Sequence, residues 1–596
     1  MALTKTQLDK QKKEAEELLF DGPEKLGFAK ALFFGHFRGD ILFPYPKLDP
    51  QMQAKVEQSI SEVKHFVETQ LDDVAIDRNA EIPQSVIDGL AKLGVLGMAA
   101  PEDIGGKGFN QQGYCKILEI LGGKCSSTSV FVNAHHSIGI RSLLLFGTEE
   151  QKKRWLPDLV SGKKLAAFAL TEPNAGSDAG NVQTQAVPTE DGQAYILNGE
   201  KRYITNGGIA DVLTVMARTP APTKDNPNET KVTAFLVTPD MPGFEVLEKR
   251  AEKTGIRGTA TGKMRFTNMR VPKENILGQI NKGLKLALTV LDFGRTTFGA
   301  TCTGHAKACI KAAVEHVKSR IQFQQPLAEF ELVKKKIAFM AAHAFAMEAA
   351  TTVCAALIDS GADDYMLETA ILKIFATEHL WTIVYDTMQV MGGKSYFCDV
   401  PYERWMRDAR INTIGEGANE VLKAFVAVVG CRAPGMQLDA MRKKPVANVG
   451  KLAGYGMGYL WKKTFASGPA IPVRHPELQP FAKKVAARIN RLGTSLPSVF
   501  LQCGSEERFV QAQLLHERLA DIAIDLYACS CVLSRLDSML SEGAGKSSKE
   551  AYEADIASGK YFLTLACRRM DERFAGLSDH DDKETVDTAN AVLKLF

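Results

Sequence analysis

The hydrophobic pattern changes period twice along the chain, and this limits the possible folds more than any single motif does. From Asp49 to Ser161 apolar residues recur mostly at helical spacing, as in Met52–Thr69, Pro83–Leu93 and Ile138–Phe146. Between Leu165 and Val271 they alternate. Leu165–Leu170, Tyr195–Leu197, Arg202–Thr205, Val212–Ala217, Val232–Val237 and Lys263–Phe266 read as strands bounded by Gly, Pro, Asn or Asp. Helical spacing returns over Gln279–Gly430 and continues beyond it, most clearly in Glu507–Arg535. The expected fold is therefore α+β and mostly α. It comprises an arm (1–48), a helical domain (49–164), a β-barrel-like domain (165–278), a helical bundle (279–430) and an appended helical domain (431–596). The arm should be ordered, because Phe33-Phe34 and Phe43-Pro-Tyr-Pro46 need something to pack on.

A second feature is chemical. In Ile411-Asn-Thr-Ile-Gly-Glu-Gly-Ala-Asn-Glu-Val421 a carboxylate, Glu416, stands between Gly415 and Gly417, with an apolar-rich helical run behind it. The glycines allow a sharp turn and close approach of a ligand. The helix should start near Ala418. Its positive end favours ionised Glu416, whereas burial against an apolar ligand would raise its pKa. Such tuning suits a base that removes an unreactive C–H proton. A capped helix start with an exposed glutamate is the plain alternative.

Composition narrows the function classes. The 596 residues are 45% hydrophobic and 24% charged, with a net charge of +3, which does not point to nucleic acid. The eleven cysteines are scattered, with no Cys-x-x-Cys pair and no zinc spacing, so reduced thiols and no metal are expected. Cys529 and Cys531 read as core residues, and His135-His136 lack an acidic or Cys partner at helical spacing. The apolar run Ile337–Ile358 contains His343 and Glu348, which suits a buried bundle helix better than a membrane span. Gly454-Tyr-Gly-Met-Gly458 imitates a dinucleotide loop, but no strand precedes it. Residues 440–476 hold Arg442, Lys443, Lys444, Lys451, Lys462, Lys463 and Arg474, interleaved with aromatic residues and free of acids. That suits peripheral docking on an anionic membrane; a solvated loop is the alternative. Met1–Phe20 mixes Lys and Glu without Arg, so a bacterial cytosolic location is expected, or a mitochondrial one if a presequence has been removed.

The Glu416 stretch resembles the catalytic-base segment of acyl-CoA dehydrogenases, and the resemblance extends through nearly the whole chain. Phe168-Ala-Leu-Thr-Glu-Pro-Asn-Ala-Gly-Ser-Asp178 resembles the family's flavin signature. It assigns Phe168, Leu170, Thr171, Gly176 and Ser177 to FAD, with Ser177 also at the substrate. Asn198–Gly208 resembles the second signature, in which Tyr203, Ile204 and Thr205 would lie against the flavin ring. Arg320-Ile-Gln-Phe323 and Gln389-Val-Met-Gly-Gly393 resemble segments that reach the FAD of a neighbouring subunit. Arg320, Gln322, Phe323, Gln389, Gly392 and Gly393 therefore imply a homodimer. Ala418, Asn419 and Glu420 follow the base on the flavin side, Ala418 replacing the usual threonine.

Asp292-Phe-Gly-Arg295 resembles the segment lining the thioester end of the acyl-CoA site. Some relatives carry the base where this chain has Gly294, so Gly294 favours Glu416. Asp292, Phe293, Gly294, Arg295, Gly415 and Gly417 are expected at the substrate. In the very-long-chain branch small residues keep the acyl tunnel open, and Gly139 and Ser142 would hold those positions; close helix packing explains them equally well. The resemblance implies α,β-dehydrogenation of a long- or very-long-chain fatty acyl-CoA in β-oxidation. Electrons would pass to electron-transferring flavoprotein. An oxygen-using acyl-CoA oxidase and a low-turnover assembly or scaffold protein are the alternatives.

Overall fold

The computed structural model describes residues 26–224, 226–443, 467–545 and 548–596, without the side chains of 437–443. Most of the basic stretch and the Gly454–Gly458 run lie outside the described residues, as does Met1–Phe20.

The arm forms two short helices, α1 (Phe28–Phe33) and α2 (Gly39–Leu42). The first helical domain follows with α3 (Pro50–Thr69), α4 (Asp73–Asn79), α5 (Gln84–Lys92), α6 (Gln111–Lys124) and α7 (Ser126–Val132). It ends in α8 (Arg141–Phe146) and α9 (Glu149–Val160). Asp49 and Asp72 cap α3 and α4 by accepting backbone N–H bonds, and Thr148 with Gln151 forms a capping box on α9. Between α7 and α8, Asn133–Ile140 is wound as a π-helix rather than the expected α-helix.

Eight strands form one sheet: β1 (Ala166–Ala169), β2 (Gln185–Pro188), β3 (Ala194–Ile204), β4 (Val212–Pro220), β5 (Thr230–Val237), β6 (Phe244–Glu248), β7 (Gly262–Pro272) and β8 (Ile276–Leu277). Their order is β6-β7-β3-β2-β4-β5-β8, with β1 pairing parallel to β4. The two segments expected at Tyr195–Leu197 and Arg202–Thr205 are one strand, β3. Its register against β7 shifts between Leu197 and Gly199 and again between Lys201 and Ile204.

The bundle consists of α10 (Gly283–Ser319), a hairpin of β9 (Ile321–Gln322) and β10 (Gln325–Pro326), α11 (Glu331–Asp359), α12 (Met366–Met391), α13 (Tyr402–Arg410) and α14 (Asn419–Lys443). The appended helices are α15 (Gln479–Cys503), α16 (Glu506–Gln511), α17 (Gln513–Glu542), α18 (Lys549–Ala575) and α19 (Asp582–Leu593). Helix α14 runs without a break through residue 431, where the appended region was expected to begin. Bundle, arm and appended helices share one apolar core, in which Phe28, Phe33, Phe375, Tyr527 and Phe562 are buried together. Helix α11 is long and apolar enough to cross a membrane, but most of its apolar stretch is buried in this core. All eleven cysteines are free thiols, and Cys529 and Cys531 are buried in the core.

Candidate active site

Glu416 sits in the turn between α13 and α14 with a left-handed backbone (φ +59°), followed by Gly417 at φ +98°. A left-handed glutamate costs about 1–2 kcal/mol, so the surroundings must hold it there. Three bonds do so. Arg295 Nε donates to the Glu416 carbonyl at 3.3 Å, and Lys373 Nζ donates to the Gly417 carbonyl at 2.7 Å and to Asn419 Oδ1 at 2.8 Å. The residue as a whole is half-buried, yet its Oε2 is fully buried and has no hydrogen-bond partner among the described residues. Burial raises the Glu416 pKa, with the charges of Arg295 and Lys373 pulling it back. A methyl group placed on Gly294 would lie 3.3 Å from Glu416 Oε2 and 3.2 Å from Ile138 Cγ2. Gly294 therefore leaves the carboxylate room.

The neighbouring residues of α10 are ordered around it. Asp292 is buried and pairs with Arg295 at 3.1 Å, and Thr369 donates to it at 2.7 Å. Burial pushes its carboxyl up to about 6 against the Arg295 charge. Phe293 carries the Arg141 guanidinium over its ring at 4.5 Å.

The two expected flavin segments lie side by side, because Arg202 N–H donates to the Thr171 carbonyl at 3.0 Å. Phe168 and Ile204 are buried, Leu170, Thr171 and Thr205 half-buried, and Gly176 and Ser177 exposed. Tyr203 is 61% exposed at φ +59°, with Arg202 over its ring. A methyl group on Gly176 would touch nothing within 4 Å. An open small-residue turn, an exposed aromatic face and the hydroxyl groups of Thr171, Ser177 and Thr205 fit a flat, phosphate-bearing cofactor. Arg320, Gln322, Phe323, Gln389, Gly392 and Gly393 are also exposed, on the β9–β10 hairpin and at the end of α12.

Three of the expected site residues are engaged by the protein itself. The Asn419 side chain turns inward, accepting from Lys373 and donating to Thr377 at 3.1 Å; Ala418 is half-buried and Glu420 exposed. Gly139 and Ser142 face the sheet. A methyl group on Gly139 would lie 2.7 Å from Ala166 Cβ, and Ser142 Oγ meets Thr214 Oγ1 at 3.0 Å. Their small size lets the helical layer approach β1 and β4, and Ser142 Oγ also donates to the Gly139 carbonyl at 2.7 Å. His135 also serves this junction, accepting from the Ala166 N–H at 3.0 Å, whereas His136 accepts from the Ala99 N–H at 2.9 Å within the first helical domain.

Three residues went unassigned in the sequence. Glu172 and Lys201 form a fully buried ion pair at 2.6 Å that ties one flavin segment to the other, and Glu172 also accepts from Thr184 Oγ1 at 2.6 Å. Both stand inside the two motifs. Lys373 is a lone lysine in the apolar run Ala370–Ala376, and that isolation was its signal.

Family comparisons match this layout in order. The acyl-CoA dehydrogenase N-terminal, middle and C-terminal domains match residues 54–163, 167–269 and 281–429. The domain described as "ACAD9/ACADV, C-terminal domain" matches 476–594. The mitochondrial very long-chain specific acyl-CoA dehydrogenase of Rattus norvegicus is 35% identical over 94% of this chain and 86% of its own. The probable acyl-CoA dehydrogenase FadE10 of Mycobacterium tuberculosis (strain ATCC 25618 / H37Rv) is 33% identical over 97% and 90%. The crystal structure of an acyl-CoA dehydrogenase complexed with FAD from Bacillus anthracis superposes with a TM-score of 0.75 at 26% identity, over 94% of each chain. With a glycine-flanked buried carboxylate at the head of α14 and this domain order, the chain belongs to the acyl-CoA dehydrogenase family.

Proposed function

We propose that this FAD-dependent oxidoreductase of the CH–CH bond acts in fatty acid oxidation on long- or very-long-chain acyl-CoA. The product is the trans-2-enoyl-CoA, and the electrons pass to electron-transferring flavoprotein. The observation that carries the reading is the buried Glu416 Oε2, unpartnered and set against a glycine. A carboxylate desolvated in this way is a stronger base than one in water, as abstraction of an α-proton requires. Glu416 takes that proton. The Glu416 N–H, in the turn held by Arg295 and Lys373, is the chain's own donor to the thioester oxygen as charge develops there. When bound, FAD supplies the acceptor for the hydride from the β-carbon. Thr171, Gly176, Ser177, Tyr203 and Thr205 of one subunit would hold it. Arg320, Gln322, Phe323, Gln389, Gly392 and Gly393 of a second subunit would complete the site.

The dimer is supported by large apolar side chains left open on those elements: Phe323 is 88% exposed, Tyr396 82% and Phe397 64%. The long-chain preference rests on the appended domain and on the very-long-chain relatives.

Anaerobic mixing of the FAD-loaded protein with palmitoyl-CoA, monitored by flavin absorbance, tests the reading. Rapid bleaching is expected in the wild type and none in Glu416→Gln. Bleaching in both would remove Glu416 from the role of base.

A further inference from the structure

We propose that Lys373 is a positioning residue for Glu416, holding the turn that carries it and supplying the positive charge that offsets its desolvation. The proposal rests on Glu416 being the base. Lys373 is fully buried on α12, and its ammonium is committed to two neutral oxygens on the chain leaving Glu416: the Gly417 carbonyl at 2.7 Å and Asn419 Oδ1 at 2.8 Å. These bonds bracket the head of α14 and fix where the Glu416 backbone must turn.

A neutral donor could make the same two bonds. Burying a full charge is costly, and such a charge is ordinarily matched by an ion pair. Among the described residues Lys373 has no carboxylate at ion-pair distance. The carboxylate that acts on it most strongly is that of Glu416. Arg295, the other cation near Glu416, is already matched by Asp292. Lys373 is the cation of the two that has no ion-pair partner among the described residues. The remaining groups around the pair are Asp292, Arg295 and Cys302 on α10, Glu378 on α12 and Lys423 on α14, where Lys423 is bound to Glu378 at 3.1 Å. Burial lowers the Lys373 pKa to about 8, so it remains cationic at neutral pH, where Glu416 must be ionised to act.

The sign follows. Removing the charge leaves burial of Glu416 less opposed, so its pKa rises and the acidic limb of kcat/KM moves to higher pH. Lys373→Met should move this limb up by about half a pH unit or more, the scale for losing one unit charge a few ångströms away in a partly screened site. It should lower kcat about tenfold, with KM changed less than about twofold and FAD content retained. A fall in kcat with an unmoved limb, or no change in either, overturns the proposal. Should Lys373→Met not fold, Asn419→Ala removes one of the two acceptors. It should lower kcat by loosening the turn while the limb, with the Lys373 charge still present, stays in place; an unchanged kcat would overturn the positioning role. Glu416→Gln measured alongside separates the two readings. Turnover in that variant defeats the base assignment itself, whereas a silent Glu416→Gln beside an unshifted Lys373→Met defeats only the role of Lys373.

Discussion

Gly294 shows how little room the carboxylate has. A single added methyl would press on Glu416 Oε2 at 3.3 Å and on Ile138 Cγ2 at 3.2 Å, both tighter than ordinary van der Waals contact. Either Ile138 or the carboxylate must move, and displacement of a catalytic group by a fraction of an ångström is expensive. Gly294→Ala should keep its FAD and its fold while kcat falls about tenfold to a hundredfold, measured as the rate of flavin bleaching by palmitoyl-CoA. An unchanged rate would show that the pocket relaxes around position 294. Glu416 was legible because a carboxylate between two glycines ahead of a helix is rare and its chemistry is specific. The Glu172–Lys201 pair was not, although both residues stand within legible motifs. Which side chains of two segments turn towards each other depends on strand pairing, and β3 shifts register at just this point.

Helix α13 leads directly into the base turn, and one of its ties is electrostatically awkward. Asp408 is buried and accepts the Ile256 N–H at 2.6 Å, joining α13 to the loop between β6 and β7. Burial raises its pKa from 3.8 to about 7, opposed by the Ile256 N–H bond and by Arg404 and Arg407, and helped by nearby Asp77. Between about pH 4 and 7 the native state therefore holds a proton that the unfolded chain has released, so this carboxyl makes stability fall as pH rises. Asp408→Asn keeps an acceptor for Ile256 and removes the charge. It should leave stability unchanged near pH 4 and add about 2 kcal/mol at pH 8 in urea unfolding. Equal stability of the two proteins across this range would mean that Asp408 is ionised without penalty. Long helices and the central strands could be read from period alone. Strands β2 and β6 could not, since Gln185–Pro188 and Phe244–Glu248 are short and mostly exposed and carry little hydrophobic alternation. The π-helix was equally hidden, because one extra residue per turn leaves no mark on an apolar run.

Over the whole molecule, the appended helices are built into the enzyme rather than tethered to it. Their side chains enter the same core as the bundle, and Lys423 on α14 reaches Asp521 on α17 at 3.0 Å, so the base helix itself touches them. The order of the helical and β domains was visible in the sequence, but this docking was not, because no pattern in one chain says which faces of two helical blocks meet. Glu348 on α11 is the main electrostatic joint. It binds Lys116 of the first helical domain at 2.8 Å, Lys307 of α10 at 3.1 Å and Arg535 of α17 at 3.0 Å. Burial alone would raise its pKa, but Arg535, Lys116 and Lys307 hold it well below the usual carboxylate range. Stability from this joint is thus present above the ordinary glutamate pKa and lost as pH falls below it. Glu348→Gln removes the charge that three cations share, leaving them facing Glu119 and Asp555 alone. The Lys116 and Lys307 side chains reach solvent, so breaking this half-buried cluster should cost about 1–3 kcal/mol. Because the cluster joins three blocks, the loss should appear as separation as well as lower stability. Calorimetry of the FAD-loaded variant should show the appended helices melting in a transition of their own, below that of the rest, where the wild type melts in one. The wild type should begin to split in the same way when acidified below about pH 4. A variant that still melts in one transition at the wild-type temperature would mean that the shared apolar core alone joins the appended helices to the bundle, with Glu348 contributing no coupling.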